Sequence, residues 1–278
     1  MARHEPVILV PLDGSKNAEN ALPLAAMLAS VYDAHLHVVH VVEPEHDAAT
    51  LASATDAFAR YGERLVGDYA LPRERCRFQC FQGSPAKTIL ALAEQSAWVV
   101  LASHGRGGFR ATFIGSVADK MVRGSPVPVL LVPGIGRPAG PPVTVLIALD
   151  GSAEAEHGLH TARRIAAAQG ARVVLLRAYS VLLTPGSELA YFPPELPEML
   201  IDDATSYLAT VAQPGEETQV VRGDAATAIV EVSRALDAGL VVMTASGKGL
   251  AGRLALGSTT DRVMHSLHRP LVIMPPPA

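Results

Sequence analysis

The feature that most constrains this chain is that it is written twice. Val7-Ile8-Leu9-Val10-Pro11-Leu12-Asp13-Gly14-Ser15 returns as Val145-Leu146-Ile147-Ala148-Leu149-Asp150-Gly151-Ser152. Gly83-Ser84-Pro85-Ala86-Lys87-Thr88-Ile89 returns as Gly223-Asp224-Ala225-Ala226-Thr227-Ala228-Ile229. Gly105, nine residues and Gly115-Ser116 return as Gly247, nine residues and Gly257-Ser258, and Pro128–Pro133 returns as Pro270–Pro275. Four landmarks in one order, offset by 137 to 142 residues, mark an internal duplication. Between the copies, Pro133–Pro142 is rich in proline and glycine, and its prolines have no N–H to give a helix or a ladder. The expected division is a first domain over 1–135, a linker over 136–142 and a second domain over 143–278.

Each copy alternates short β-branched runs with amphipathic helical stretches, the pattern of a parallel sheet covered on both faces. The strands are expected at Val7–Leu12, Leu36–Val42, Arg77–Phe81, Trp98–Leu101 and Val127–Val132, and at the matching places in the second half. The fold class is therefore α/β, as two tandem open five-stranded parallel sheets. A first helix is expected over about Asn17–Ser30, kinked or shortened by Pro23. The second copy carries an extra proline-rich stretch, Thr184–Pro197, readable as a lid, a partner contact or a packed surface loop.

Composition removes several classes of function. A net charge of −4 gives no sequence-independent grip on nucleic acid. No apolar run approaches the ~18 residues of a membrane span, and the amino-terminal run is too short for a signal peptide, so a soluble cytoplasmic protein is expected. Cys76 and Cys80, four apart on a strand, are separated by roughly 13 Å and cannot pair.

The chemistry gathers at strand ends. In open parallel sheets ligands bind beyond the carboxyl ends of the strands, where the order reverses. Asp13 and Asp150 follow the first strand of each half, and the glycine loops follow the fourth. A carboxylate there accepts hydrogen bonds from ribose hydroxyls or an exocyclic amine, or else serves the helix cap through Ser15 or Ser152. Gly105 lets the backbone approach a phosphate, and Gly115-Ser116 opens a helix whose free N–H groups favour an anion. Ser116 with Asp119, and Ser258 with Asp261, also fit a capping box. Arg106, Arg110, Lys248 and Arg253 bring cations nearby. Gly247–Gly252 matches Gly-x-Gly-x-x-Gly but is not in a first βα turn and has no acid ~20 residues on, so it is no dinucleotide fingerprint. His35, His37 and His40 line the second strand without an acid or Cys to complete a ligand set.

The Asp-Gly-Ser after strand one, the His-Val-Val-Glu-Pro ending of strand two and the Gly-nine-Gly-Ser loop together resemble the universal stress protein family. The resemblance covers both halves. It implies an adenine-nucleotide alpha-hydrolase-like fold and, in nucleotide-binding members, ATP accompanied by Mg or Mn. It assigns Asp13 and the backbone at Val41 to the adenosine part, and Gly105, Gly115 and Ser116 to ribose and phosphates. Pro11, Ser15, Ala102, Arg106 and Val117 complete the first set. The second set is Asp150, Ala178, Gly247, Gly257 and Ser258, with Ala148, Ser152, Thr244, Lys248 and Thr259. The family's first glycine is Ala102 here and Thr244 in the second copy. Thr is β-branched and stiff, which weakens the second site. The expected function is static ATP binding or slow hydrolysis in a stress or signalling role, since the groups of fast phosphoryl transfer are missing. The alternative is a nucleotide-free interaction scaffold. Linked copies are expected to pair intramolecularly through their fifth strands, with homodimerisation and a protein partner left open.

Overall fold

A computed structural model describes residues 5–43, 48–105, 114–134, 140–180, 196–245 and 256–276. In the first half, β1 (Val7–Pro11), β2 (His35–Val42), β3 (Cys76–Gln82), β4 (Trp98–Ala102) and β5 (Val129–Val132) alternate with helices. The helices are α1 (Lys16–Glu19), α2 (Leu22–Tyr32), α3 (Ala48–Asp68), α4 (Pro85–Ala93) and α5 (Ser116–Gly124). The second half repeats the order with β6 (Thr144–Ala148), α6 (Ala153–Gln169), β7 (Arg172–Tyr179), α7 (Leu196–Val211), β8 (Glu217–Arg222), α8 (Ala225–Ala235), β9 (Leu240–Thr244), α9 (Ser258–Ser266) and β10 (Leu271–Met274). Most of Thr184–Pro197 and of the linker lies outside the described residues.

The single first helix expected over Asn17–Ser30 is two helices. Pro23 sits in the first turn of α2, where its missing N–H costs nothing, and the chain breaks at Asn20-Ala21 to place it there.

The strand order is β3-β2-β1-β4-β5-β10-β9-β6-β7-β8, one continuous sheet of ten. Within each half the pairing is parallel, and β1 lies beside both β2 and β4, so the order reverses there. Period-two alternation sorts the side chains. Ile8 and Val10 face a core shared with α2 and α3, while Leu9 faces a core shared with α4 and α5. Cys76 lies in the first of these cores with Cys80 packed against it, both free; burial pushes the Cys76 thiol up to about 11.

The halves join where β5 and β10 run antiparallel, pairing Leu131 with Leu271, Leu130 with Val272 and Val129 with Ile273. Every residue of both strands is buried, and each core runs through from one half to the other. Side chains add to the seam. Arg164 donates to the Val31 carbonyl at 3.0 Å and lies 4.2 Å over the Tyr32 ring. Arg123 donates to Asp119 at 2.9 Å and crosses to Asp261 at 2.6 Å. Arg123 and both acids are a third or more exposed, so this cluster contributes on the order of 0.2–1 kcal/mol. Arg123→Ala is expected to lower the melting temperature by no more than about 4 °C with one calorimetric transition retained, because burial of β5 on β10 carries the junction. Two separate transitions in that variant would show that the ion pair does.

No helix among the described residues is long and apolar enough to cross a membrane.

Candidate functional site

The reversal between β1 and β4 opens a crevice of about 670 Å³ above the sheet in the first half. That is inside the ~300–1,000 Å³ range of small-molecule sites. Pro11, Asp13, Val41, Ala102, Gly105, Gly115, Ser116 and Val117 all line it. So do Ile89 from α4 and His40 and His104, which sequence reasoning did not place in the site. Ile89 carried a signal: it belongs to the repeated Gly-Ser-Pro-Ala landmark, which was read only as evidence of duplication. Arg106 lies outside the described residues.

Asp13 bonds the helix-capping Ser15 and also lines the crevice. Its Oδ1 accepts from the Ser15 backbone at 2.9 Å and from the Ser15 hydroxyl at 2.6 Å. Ser15 in turn accepts from Ala18 N at 3.2 Å and caps α1. Asp13 Oδ2 turns the other way: a Cβ built on Gly105 would stand 2.3 Å from it. The acid after β1 and the glycine after β4 are thus pressed together, and a side chain at 105 would require the Asp13 carboxylate to shift. Ser15 itself stands behind the acid and is not in the cavity wall.

The capping-box expectation is corrected. The N-cap of α5 is Gly115 and that of α9 is Gly257, neither with a side-chain cap bond, so Ser116 and Ser258 are first helical residues. Gly115 N donates to the Ser103 carbonyl at 2.8 Å, and Gly257 N donates to Ala245 at 2.8 Å, fixing each helix start against the preceding strand end. The cavity therefore has a helix N-terminus at one end, with its unpaired N–H groups and dipole.

His104 is buried, with Nδ1 2.9 Å from the Ser103 hydroxyl and Nε2 without a hydrogen-bond partner. Burial first, and His268 from the other half second, push its imidazole below the usual value. Gly134 packs on it so closely that a Cβ would lie 2.9 Å from the His104 carbonyl oxygen. His37 pairs with Gln79 at 3.2 Å and His35 with Glu5, so these strand histidines have structural partners. No group of three or more His, Cys, Asp or Glu converges among the described residues.

Next to the crevice-lining Ala18 stands a buried carboxylate. Glu19, in α1, is 1% exposed and accepts from Lys16 at 2.8 Å, Arg64 at 2.6 Å, Tyr61 at 3.0 Å and Tyr69 at 3.1 Å. Burial pushes its carboxyl upward, but the four donors outweigh it and hold the group below its ordinary value. Its signal was present: Glu19 stands four residues after Ser15, as Glu156 stands four after Ser152, and Glu156 accepts from the Tyr207 hydroxyl at 3.1 Å.

The second half builds the same crevice smaller, about 480 Å³. Ala148, Asp150, Ala178, Thr244, Gly257, Ser258 and Thr259 line it; Gly247 and Lys248 lie outside the described residues. Ser152 repeats the role of Ser15, accepting from Ala155 N at 3.1 Å while bonded to Asp150. Thr244 is buried, and its carbonyl accepts from the Thr260 hydroxyl at 3.0 Å, a bond the first half cannot make at Ala118.

The fold and crevices define a duplicated, doubly wound α/β protein with a cleft at each switch point. The sequence model of the Universal stress protein family matches residues 6–133 and 143–275, and the chain belongs to that family. A universal stress protein of Thermus aquaticus is 35% identical over 134 residues, 45% of this chain and 96% of the relative. One of Mycobacterium bovis is 24% identical over 284 residues, covering 96% of each chain, so it shares the tandem length. Among solved structures, a universal stress protein from Archaeoglobus fulgidus superimposes with a TM-score of 0.69 at 17% identity, covering 97% of this chain and 98% of that one.

Proposed function

We propose that the protein is an adenine-nucleotide-binding universal stress protein that holds ATP in the first-half crevice. The observation that carries this reading is the clamped pair Asp13–Gly105 at the mouth of a cavity that ends on the α5 N-terminus. The lining of such a cavity offers a carboxylate for hydroxyl or amine donors together with N–H groups for an anion. The family pattern assigns Asp13 and the Val41 backbone to the adenosine part and Gly105, Gly115 and Ser116 to the phosphates. The resemblance implies a divalent Mg or Mn ion accompanying the nucleotide, which would offset phosphate charge. The side chains around the cavity supply positioning, and no described group is arranged as the base of a phosphoryl transfer. The protein therefore acts as a binding or signalling module, with hydrolysis slow at most.

The second crevice is the weaker site. It is smaller, and Thr244 replaces Ala102 in its wall. Mass spectrometry of the purified protein after denaturation is expected to release an adenine nucleotide, and titration is expected to show ATP binding at or below millimolar concentration. Absence of both would leave the scaffold reading in place. Slow turnover at the first site is expected to vanish in Gly115→Val, which adds a side chain to the wall of that cavity; turnover that persists unchanged there comes from the second crevice or from a contaminant.

A further inference from the structure

His40 lies on the α3 side of β2, next to Val41 on the opposite face. Its ring stacks on the buried Phe58 at 5.6 Å and 28°. Its Nδ1 lies 2.8 Å from the Leu12 carbonyl oxygen. A carbonyl only accepts, so Nδ1 carries the hydrogen, and in the neutral ring Nε2 is then an acceptor. The bond holds the ring against the residue immediately before Asp13, and His40 lines the crevice. Nε2 has no hydrogen-bond partner among the described residues, yet it is not sealed inside the protein as His104 Nε2 is.

We propose that His40 is a ligand-contacting specificity residue of the first site, its Nε2 accepting a hydrogen bond from a ribose hydroxyl of the bound nucleotide. This rests on the nucleotide reading above and extends it. An acceptor fixed beside Asp13 distinguishes a ligand that offers a hydroxyl there from one that offers hydrogen. The second half has no counterpart. The matching residue is Arg177, whose guanidinium donates to Asp203 at 2.7 Å, lies 4.8 Å over the Tyr207 ring and does not line the second crevice. Sugar recognition through an imidazole thus belongs to the first site alone.

The test compares ATP, 2′-deoxy-ATP and 3′-deoxy-ATP by calorimetric titration of the full chain in a Gly257→Val background, where a β-branched side chain is added to the wall of the second cavity. That protein is expected to bind ATP about 3–10-fold more tightly than one of the two deoxy analogues, the range of one hydrogen bond. His40→Asn keeps an amide N–H for the Leu12 carbonyl but has nothing at the Nε2 position. It is expected to bind ATP and that analogue equally, at the weaker level. His40→Gln, whose amide reaches the Nε2 position, is expected to regain part of the preference. Equal losses for all three ligands in His40→Asn, or no loss, would make the ring structural and overturn the proposal. A background protein that binds none of the three overturns the nucleotide reading itself, and this proposal with it.

Discussion

Gly105→Ala is expected to cut ATP affinity at the first site by at least tenfold while leaving the second site unchanged. The added Cβ would stand 2.3 Å from Asp13 Oδ2, well inside contact distance. Asp13 cannot simply swing aside, because its Oδ1 is bound to Ser15 N and to the Ser15 hydroxyl. Displacing the carboxylate sacrifices those bonds, at roughly 1 kcal/mol each, and removes the acceptor from the crevice. A tenfold loss corresponds to about 1.4 kcal/mol, so either consequence suffices. Gly115→Ala is the control: its Cβ would meet nothing closer than the Ser103 carbonyl oxygen at 3.5 Å, an ordinary contact. Titration of both variants with ATP reads the difference. Equal affinity for Gly105→Ala and wild type would mean that the acid and the glycine loop do not act together on the ligand.

The second large effect is on stability. Glu19→Ala is expected to destabilise the protein by about 3 kcal/mol, the lower end for removing one member of a buried charge cluster. The lower end applies because Arg64 is 39% exposed and can rehydrate, whereas Tyr61 and Tyr69 lose an acceptor between helices. At ~2–4 °C per kcal/mol the melting temperature falls by about 6–12 °C. Glu156→Ala removes only the bond from Tyr207 and is expected to cost about 1 kcal/mol. The acid limb tests the same cluster. Glu19 is held below its ordinary 4.5, so its contribution is complete above that pH and is lost as pH falls through the folded value. Glu19→Gln removes this proton uptake, so its stability is expected to fall less steeply below pH 4.5 than that of the wild type. Parallel acid limbs for the two proteins would show that the carboxylate is not charged in its pocket.

Much of the fold was legible because hydrophobic period and turn chemistry are local. The β-branched runs, the Asp-Gly-Ser turns and the glycine-serine helix starts each declare themselves within a dozen residues, and duplication supplied every landmark a second time. Most expected strands sit within a residue or two of the observed ones. Two local expectations failed for local reasons. Pro23 starts a second helix where one helix, kinked or shortened, was expected, and glycine, one residue before each serine, takes the N-cap position at α5 and α9.

The site was legible only in part. Asp13, Gly105 and Gly115 stood out because each sits at a strand end or helix start where chain direction is forced. His40 and Glu19 did not, because their meaning depends on partners 28 and 42 to 50 residues away: the Leu12 carbonyl for one, Tyr61, Arg64 and Tyr69 for the other. Sequence spacing holds no record of such pairs.

By itself, then, the sequence determined that there are two copies of one α/β unit, that each places an acid and a glycine loop at strand ends, and that the second copy departs at Thr244. Tertiary structure decided the rest. It fixed the register by which β5 and β10, the fifth strands expected to pair, join the copies into a single ten-stranded sheet, with paired residues 140 or more positions apart. It also brought Asp13 against Gly105, 92 positions apart, so tightly that a methyl group has no room. Chain order fixes which residues are available; only packing fixes which of them touch.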